Sequence, residues 1–119
     1  MSDPRVPSET QRPALDPAVL DEVVRRVVEV AEPDRIILFG SAARGEMGPD
    51  SDIDLLVVKS GVPHRRQLEG DIYMNLTGVR VGVDVLVVTP EDVEYLKDRV
   101  GSVIGPALRE GREIYGAPR

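Results

Sequence analysis

Two aspartates spaced two residues apart, Asp52 and Asp54, open an apolar run that has the composition of a β-strand. Side chains two residues apart in a strand point to the same face of the sheet, so the two carboxylates are expected side by side. Carboxylates that close repel each other, and a divalent cation removes the repulsion. Mg²⁺ prefers oxygen ligands, usually one or two carboxylates together with substrate phosphates and water. The pair therefore predicts a site for a metal ion and a phosphate-bearing substrate.

A third aspartate, Asp84, lies between Val83 and Val85 in a later apolar run. A buried carboxylate without a partner would be costly there, so Asp84 is expected either to line a site or to lie at a sheet edge in water. If its strand pairs beside the strand of Asp52 and Asp54, all three carboxylates share one face. Three carboxylates can support two metal ions, one on a triphosphate and one near the attacking oxygen.

The dipeptide Gly40-Ser41 follows a short apolar run, 36–39, that is typical of a buried strand. A glycine lets the backbone approach a phosphate closely, and the serine hydroxyl and nearby amides can donate hydrogen bonds to it. Taken alone, a Gly-Ser pair or the turn before Asp52 is typical of an ordinary loop. Only the combination with the aspartates indicates a binding site.

Two other motifs fail on the same residues. Gly40 and Gly45 have the spacing of a P-loop, but Glu46 holds the lysine position, where an acid would repel phosphate. An EF-hand loop over the same aspartates would need glycine where Leu55 stands and glutamate where Gly61 stands. Neither motif explains the pattern.

Helices and strands alternate along the chain. Asp16 and Pro17 predict a helix start, because an N-cap carboxylate precedes a proline in the first turn, and Pro33 predicts its end. Apolar patterning predicts strands at 36–39, 52–58, 83–88 and, at a sheet edge, 112–115. It also predicts helices over 64–76, from Pro90 with Val93, Leu96 and Val100 as the buried stripe, and from Pro106 to Gly111.

Length and composition exclude several classes of protein. The 119 residues suit one domain, predicted at 16–116, behind a flexible, proline-containing tail at 1–15. The absence of cysteine excludes disulfides and thiolate zinc sites. A formal net charge of −6 argues against long nucleic acid as the main partner. No apolar run reaches the ~20 residues of a membrane span, and no signal peptide is visible, so a cytoplasmic location is expected.

The combined pattern resembles a known signature. The segment 38–46 followed by 51–57, with ten residues between Ser41 and Asp52, is similar to the Gly-Ser and Asp-x-Asp motif of the DNA polymerase beta-like nucleotidyltransferase superfamily. The short chain resembles its minimal, MNT-type branch over about residues 16–116. The resemblance implies an α+β fold, a small mixed sheet of three to four strands flanked by helices. It also implies Mg²⁺-dependent transfer of a nucleoside monophosphate from a triphosphate.

The resemblance also implies roles for individual residues. Gly40 and Ser41 would hold the β- and γ-phosphates, and Asp52 and Asp54 would bind the metals. Asp84 would bind the catalytic metal and help to deprotonate the acceptor hydroxyl. ATP is the expected substrate, with two Mg²⁺ ions when the nucleotide is bound.

A few further side chains have weaker patterns. Arg44 follows the Gly-Ser motif and could contact the leaving pyrophosphate, since guanidinium suits phosphate geometry, or it could be a surface arginine. His64 and Lys59 are expected to be solvated. The tyrosines Tyr73, Tyr95 and Tyr115 are expected to pack with wet hydroxyls, and a self-modified tyrosine stays open.

The acceptor is indicated by the resemblance alone. Members of the minimal branch are often partnered with HEPN-type proteins in toxin–antitoxin pairs, which implies transfer of AMP onto a partner protein. An acidic transferase suits a basic partner. Two alternatives stay open: a non-catalytic module that neutralises its partner by contact, and transfer to a small molecule such as an aminoglycoside. Members of the latter kind usually carry a further domain.

Overall fold

Four strands and four helices make up the part of the chain that the computed structural model describes, which is residues 16–40, 43 and 52–117. Their order is α1 (Pro17–Ala31), β1 (Arg35–Phe39), β2 (Ile53–Val58), α2 (Arg65–Asn75), β3 (Val83–Val88), α3 (Pro90–Leu96), α4 (Ile104–Glu110) and β4 (Arg112–Gly116). The predicted tail at 1–15 lies outside the described residues. Across the described residues, no helix has the length and apolar character needed to cross a bilayer.

The strands form one mixed sheet in the order β3-β2-β1-β4. Strand β1 pairs antiparallel with β2 and with β4, whereas β2 and β3 are parallel. The parallel pair requires a crossover connection, which α2 supplies. This architecture confirms the expected α+β fold with a small mixed sheet, and β4 lies at an edge as predicted.

Helix α1 begins and ends where its sequence predicts. The Asp16 side chain accepts a hydrogen bond from the amide of Ala18 at 2.9 Å, and Pro17 occupies the first turn. The last helical residue is Ala31, and Glu32 turns the backbone left-handed with φ of 45° just before Pro33. Val23, Val27 and Ala31 recur at helical spacing and are buried.

The sheet separates two apolar cores. One core packs α1 and α2 against the odd-numbered residues of β2 and β3, such as Leu55 and Val85. The other packs α3 and α4 against their even-numbered residues, such as Leu56 and Val88. Because side chains alternate along a strand, the even-numbered aspartates of β2 and β3 belong to the face that carries α3 and α4.

Two details of the prediction are wrong. Helix α3 ends at Leu96, and Val100 is fully exposed instead of continuing the buried stripe. The chain leaves the helical path there, since Gly101 turns left-handed with φ of 88°. Helix α4 begins at Ile104, before Pro106, because proline is tolerated within the first turn of a helix.

Candidate active site

Asp54 and Asp84 are direct partners on neighbouring strands. The parallel register of β2 and β3 aligns their Cα atoms, just as it aligns Ile53 with Val83. Both side chains leave the same face of the sheet, because they occupy equivalent positions in two paired strands. The register therefore unites two of the predicted site residues, which lie far apart in sequence.

Asp52 immediately precedes β2, and its carboxylate is exposed. The amide of Ile53 donates a 2.8 Å hydrogen bond to the carbonyl of Gly82, which holds this end of β2 against the start of β3. Asp54 is half-buried, whereas Asp84 is exposed on the edge strand. Asp84 thus lies at a sheet edge in water, which is one of the two positions expected for it, and its register partner is Asp54.

Two glycines make room for two of these carboxylates. Gly40 has φ of +75°, and a Cβ there would collide with Asp54 Oδ2. Gly82 is not in the left-handed region, but a Cβ on it would collide with Asp52 Oδ1. The sequence predicts that the backbone at Gly40 closely approaches a phosphate, whereas the neighbour in the structure is the Asp54 carboxylate. The role of Gly82 escapes sequence reasoning, because its only signal is its position two residues before Asp84.

The carboxylates also interact electrostatically. Burial, then the charge of Asp84 and then that of Asp52 raise the pKa of the Asp54 carboxyl above its ordinary value. The order of the two charges agrees with the strand register, in which Asp84 is the direct partner. Such mutual repulsion is what a bound cation would relieve.

The donor set suits Mg²⁺ without forming a closed cage. Within 16–40, 43 and 52–117, no three acidic or histidine side chains are arranged to enclose an ion on their own. Mg²⁺ normally takes only one or two carboxylates and completes its shell with water and phosphate oxygens. Hard oxygen donors, their mutual repulsion and the space kept free by Gly40 and Gly82 therefore fit a metal that substrate phosphates help to hold.

The other side chains singled out in the sequence, namely two predicted site residues and two that were expected to be solvated, separate into two groups. Ser41 and Arg44 lie outside the described residues. Lys59 and His64 lie at the other end of β2, roughly 16 Å along the strand from Asp54 to Lys59 at 3.3 Å per residue. The Lys59 ammonium donates to the carbonyl of Glu32 at 2.9 Å, and His64 is exposed. Both therefore lie away from the carboxylates.

A cavity of about 500 Å³ also lies at that far end and is lined in part by Lys59, His64 and Asp71. It is wide open to solvent, and none of the three site aspartates lines it. Its size alone therefore does not make it the reactive site.

The loop before β3 is fastened to α1 through Arg26. This guanidinium donates to the carbonyl of Thr77 at 2.9 Å and is held by Glu22 at 2.7 Å. The Asn75 amide in turn donates to the Arg26 carbonyl at 2.9 Å. These bonds fix the end of α2 and the loop that leads to Gly82.

Comparison with known proteins identifies the family of this chain. A family model described as "Nucleotidyltransferase domain" matches residues 19–114, which include the whole constellation. The chain belongs to this family. Among curated proteins, none matches the sequence.

Three solved structures with the same fold are similar over most of this chain. A protein from Sulfolobus solfataricus, provisionally assigned as a nucleotidyltransferase, is 24% identical with a TM-score of 0.56, over 83% of this chain and 78% of its own. A toxin-antitoxin structure with AMP-PNP is 19% identical with a TM-score of 0.55, over 82% and 73%. A mutant of the toxin-antitoxin MntA-HpeT is 18% identical with a TM-score of 0.52, over 87% and 75%. At these identities the likeness establishes the fold of the domain.

Proposed function

We propose that this nucleotidyltransferase domain is an Mg²⁺-dependent enzyme that transfers AMP from ATP onto a partner protein, a HEPN-type toxin, and thereby acts as an antitoxin. The observation that carries the catalytic part is the alignment of Asp54 with Asp84, with Asp52 just upstream. The toxin-antitoxin neighbours, one of them with AMP-PNP, support the choice of nucleotide and of a protein partner.

Each site residue has a distinct task in this proposal. Asp52 and Asp54 would hold the metals, Asp84 would help to hold the catalytic one, and Gly40 and Ser41 would hold the β- and γ-phosphates. Asp84 takes the proton from the acceptor hydroxyl as its oxygen bonds to the α-phosphorus and pyrophosphate leaves with the bridging oxygen. When bound, Mg²⁺ supplies Lewis-acid activation of the α-phosphate and neutralises the charge of the leaving group.

The exposure of Asp84 favours a large acceptor. Its carboxylate lies on the edge strand and faces water, so the acceptor side is open across the described residues and is not a closed small-molecule pocket. A protein surface can cover such an open site and exclude water from it. Arg44 is proposed to contact the pyrophosphate, for which guanidinium geometry is suited.

The test is transfer from α-labelled ATP, with Mg²⁺, to the protein encoded beside this one. We expect label on that protein, loss of label with EDTA, and a loss of several orders of magnitude in the Asp54→Asn variant. Asp71→Asn, which removes an exposed carboxylate away from the site, is the matched control and should keep full activity. Absence of label with every nucleoside triphosphate and several candidate partners would contradict the proposal.

A growth assay separates the enzyme from a contact antitoxin. Cells that express the partner toxin should be rescued by the wild-type chain and not by Asp54→Asn, provided that both chains bind the toxin equally in a pull-down. Rescue by Asp54→Asn would mean that binding alone neutralises the partner.

A further inference from the structure

The outer edge of strand β3 is occupied by side chains of α2. The amide of Val85 donates to the hydroxyl of Tyr73 at 2.8 Å. The amide of Val87 donates to a carboxylate oxygen of Glu69 at 2.9 Å. An edge strand ordinarily leaves such groups to solvent or to another chain, and here two side chains take the place of a neighbouring strand.

The match between helix and strand has a simple geometric basis. Glu69 and Tyr73 are four residues apart, which is about 6.0 Å along a helix. Val85 and Val87 are two residues apart, which is about 6.6 Å along a strand. Since α2 is the crossover between two parallel strands, it runs antiparallel to β3, so the later helix residue meets the earlier strand residue.

These bonds are made by the same strand that carries Asp84, along the edge that points away from β2. Backbone groups in a strand alternate in direction. The carbonyls of Gly82 and Val88 accept hydrogen bonds from β2, so the backbone N–H and C=O groups of even-numbered β3 residues point toward β2. The backbone groups of odd-numbered residues point away from β2, toward the outer edge of the sheet. Asp84 is thus bonded to β2, and the next amide along the chain, that of Val85, is held by Tyr73.

The two side chains do not belong to the carboxylate pocket. Helix α2 packs in the core with α1, on the face that carries Val85 and Val87, whereas Asp84 leaves the other face. Tyr73 is 42% exposed, so its side chain acts mainly through the hydrogen bond that its hydroxyl accepts at the edge of β3, and less through packing in the core.

We propose that Tyr73 and Glu69 are positioning residues for Asp84: by accepting hydrogen bonds from two outward amides of β3, those of Val85 and Val87, they clamp the edge strand in the register that aligns Asp84 with Asp54. Without these bonds β3 is held only by its neighbour β2, and an edge strand held in this way can fray and move Asp84 out of alignment with Asp54. This inference rests on the proposed function for its catalytic consequence, while the clamp itself is independent of it.

The decisive variants are Tyr73→Phe and Glu69→Ala, each with a matched comparison. Tyr73→Phe removes one hydroxyl, and Tyr95→Phe removes the hydroxyl of another exposed tyrosine, which instead accepts from Arg99. Glu69→Gln keeps a carbonyl oxygen that can accept from Val87, so it should rescue what Glu69→Ala loses.

Three measurements follow the effect from the clamp to the chemistry. Amide hydrogen exchange should accelerate by about tenfold or more at Val85 in Tyr73→Phe and at Val87 in Glu69→Ala. The dissociation constant for Mn²⁺ alone should rise severalfold in Tyr73→Phe and Glu69→Ala. In the transfer assay kcat should fall by about tenfold with KM for ATP little changed, because Asp84 acts on the acceptor side.

The outcomes separate the clamp from the function. Faster exchange with unchanged Mn²⁺ affinity and unchanged kcat would make the clamp merely structural and overturn the inference, as would unchanged exchange. An equal loss in Tyr95→Phe, or no rescue by Glu69→Gln, would overturn it too. A wild type that binds Mn²⁺ but transfers no nucleotide overturns the proposed function, and the Mn²⁺ comparison among the variants then decides this inference.

Discussion

Gly40→Ala tests whether the bend beneath Asp54 sets the position of that carboxylate, and Gly61→Ala is its matched control. Both glycines have positive φ, +75° at Gly40 and +69° at Gly61. An alanine in this region is strained by about 1–2 kcal/mol. A Cβ at Gly61 would meet nothing within 4 Å, whereas one at Gly40 would collide with Asp54 Oδ2. The two variants therefore share the strain and differ in the contact.

The magnitude follows from that collision. To regain ordinary van der Waals separation, the Asp54 oxygen must move by about 1 Å. It is the end of a short side chain, so an off-rotamer χ angle relieves the contact for about 0.5–1.5 kcal/mol. A displacement of about 1 Å in a catalytic group can cost as much as 100-fold in rate. The functional loss should thus far exceed the extra loss of stability.

The assay compares both variants with the wild type in thermal unfolding, Mn²⁺ affinity and the initial rate of nucleotide transfer. Backbone strain should cost both variants about 1–2 kcal/mol of unfolding free energy, and the contact with Asp54 should cost Gly40→Ala about 0.5–1.5 kcal/mol more. Each kcal/mol lowers Tm by roughly 4–8 °C in a domain of this size. Only Gly40→Ala should bind Mn²⁺ at least tenfold more weakly and transfer about 100-fold more slowly.

Two results would refute this reasoning. If Gly40→Ala keeps wild-type affinity for Mn²⁺, the carboxylate does not depend on the missing Cβ. If Gly61→Ala loses as much affinity and rate as Gly40→Ala, backbone strain and not the contact is responsible.

Three further predictions concern the same sheet and its supports. Asp54→Asn should raise the free energy of unfolding at neutral pH by about 0.2–1 kcal/mol, because it removes a half-buried negative charge that faces the carboxylate of Asp84. Asp71→Asn removes an exposed charge and should leave the free energy of unfolding unchanged in the same thermal melts. Burial and the neighbouring carboxylates raise the pKa of Asp54, so its contribution to folding is favourable below the ordinary pKa range of Asp and is lost as pH rises. The stability that Asp54→Asn gains at neutral pH should therefore vanish in acid. A gain that persists in acid would contradict the direction of this pKa shift. Gly82→Ala should weaken Mn²⁺ binding by about tenfold by displacing Asp52, with Tm within about 2 °C of the wild type, because φ is not strained there; unchanged calorimetric affinity would count against the contact. Thr89→Ala should cost about 1 kcal/mol in urea unfolding by removing the capping box of α3, and any large loss of transfer would show that α3 matters for more than stability.

Local signals predicted much of this protein correctly. The apolar run around Asp54 sufficed to place that residue in β2, and Asp16 with Pro17 sufficed to place the start of α1. Both depend on neighbours in sequence, for which chain geometry leaves few choices. The end of α3 was less predictable. Val100 continues the apolar spacing, but the chain has already left the helix.

Pairing between distant segments was decided only by the tertiary structure. The sequence alone determined that Asp84 needs water or a partner, since a carboxylate in an apolar run cannot be buried alone. That its partner is Asp54 depends on the parallel register of β2 and β3, and a slip of one residue would turn Asp84 to the other face. The contact of Gly82 with Asp52 and the clamp of α2 on β3 likewise arise between segments that no local spacing relates.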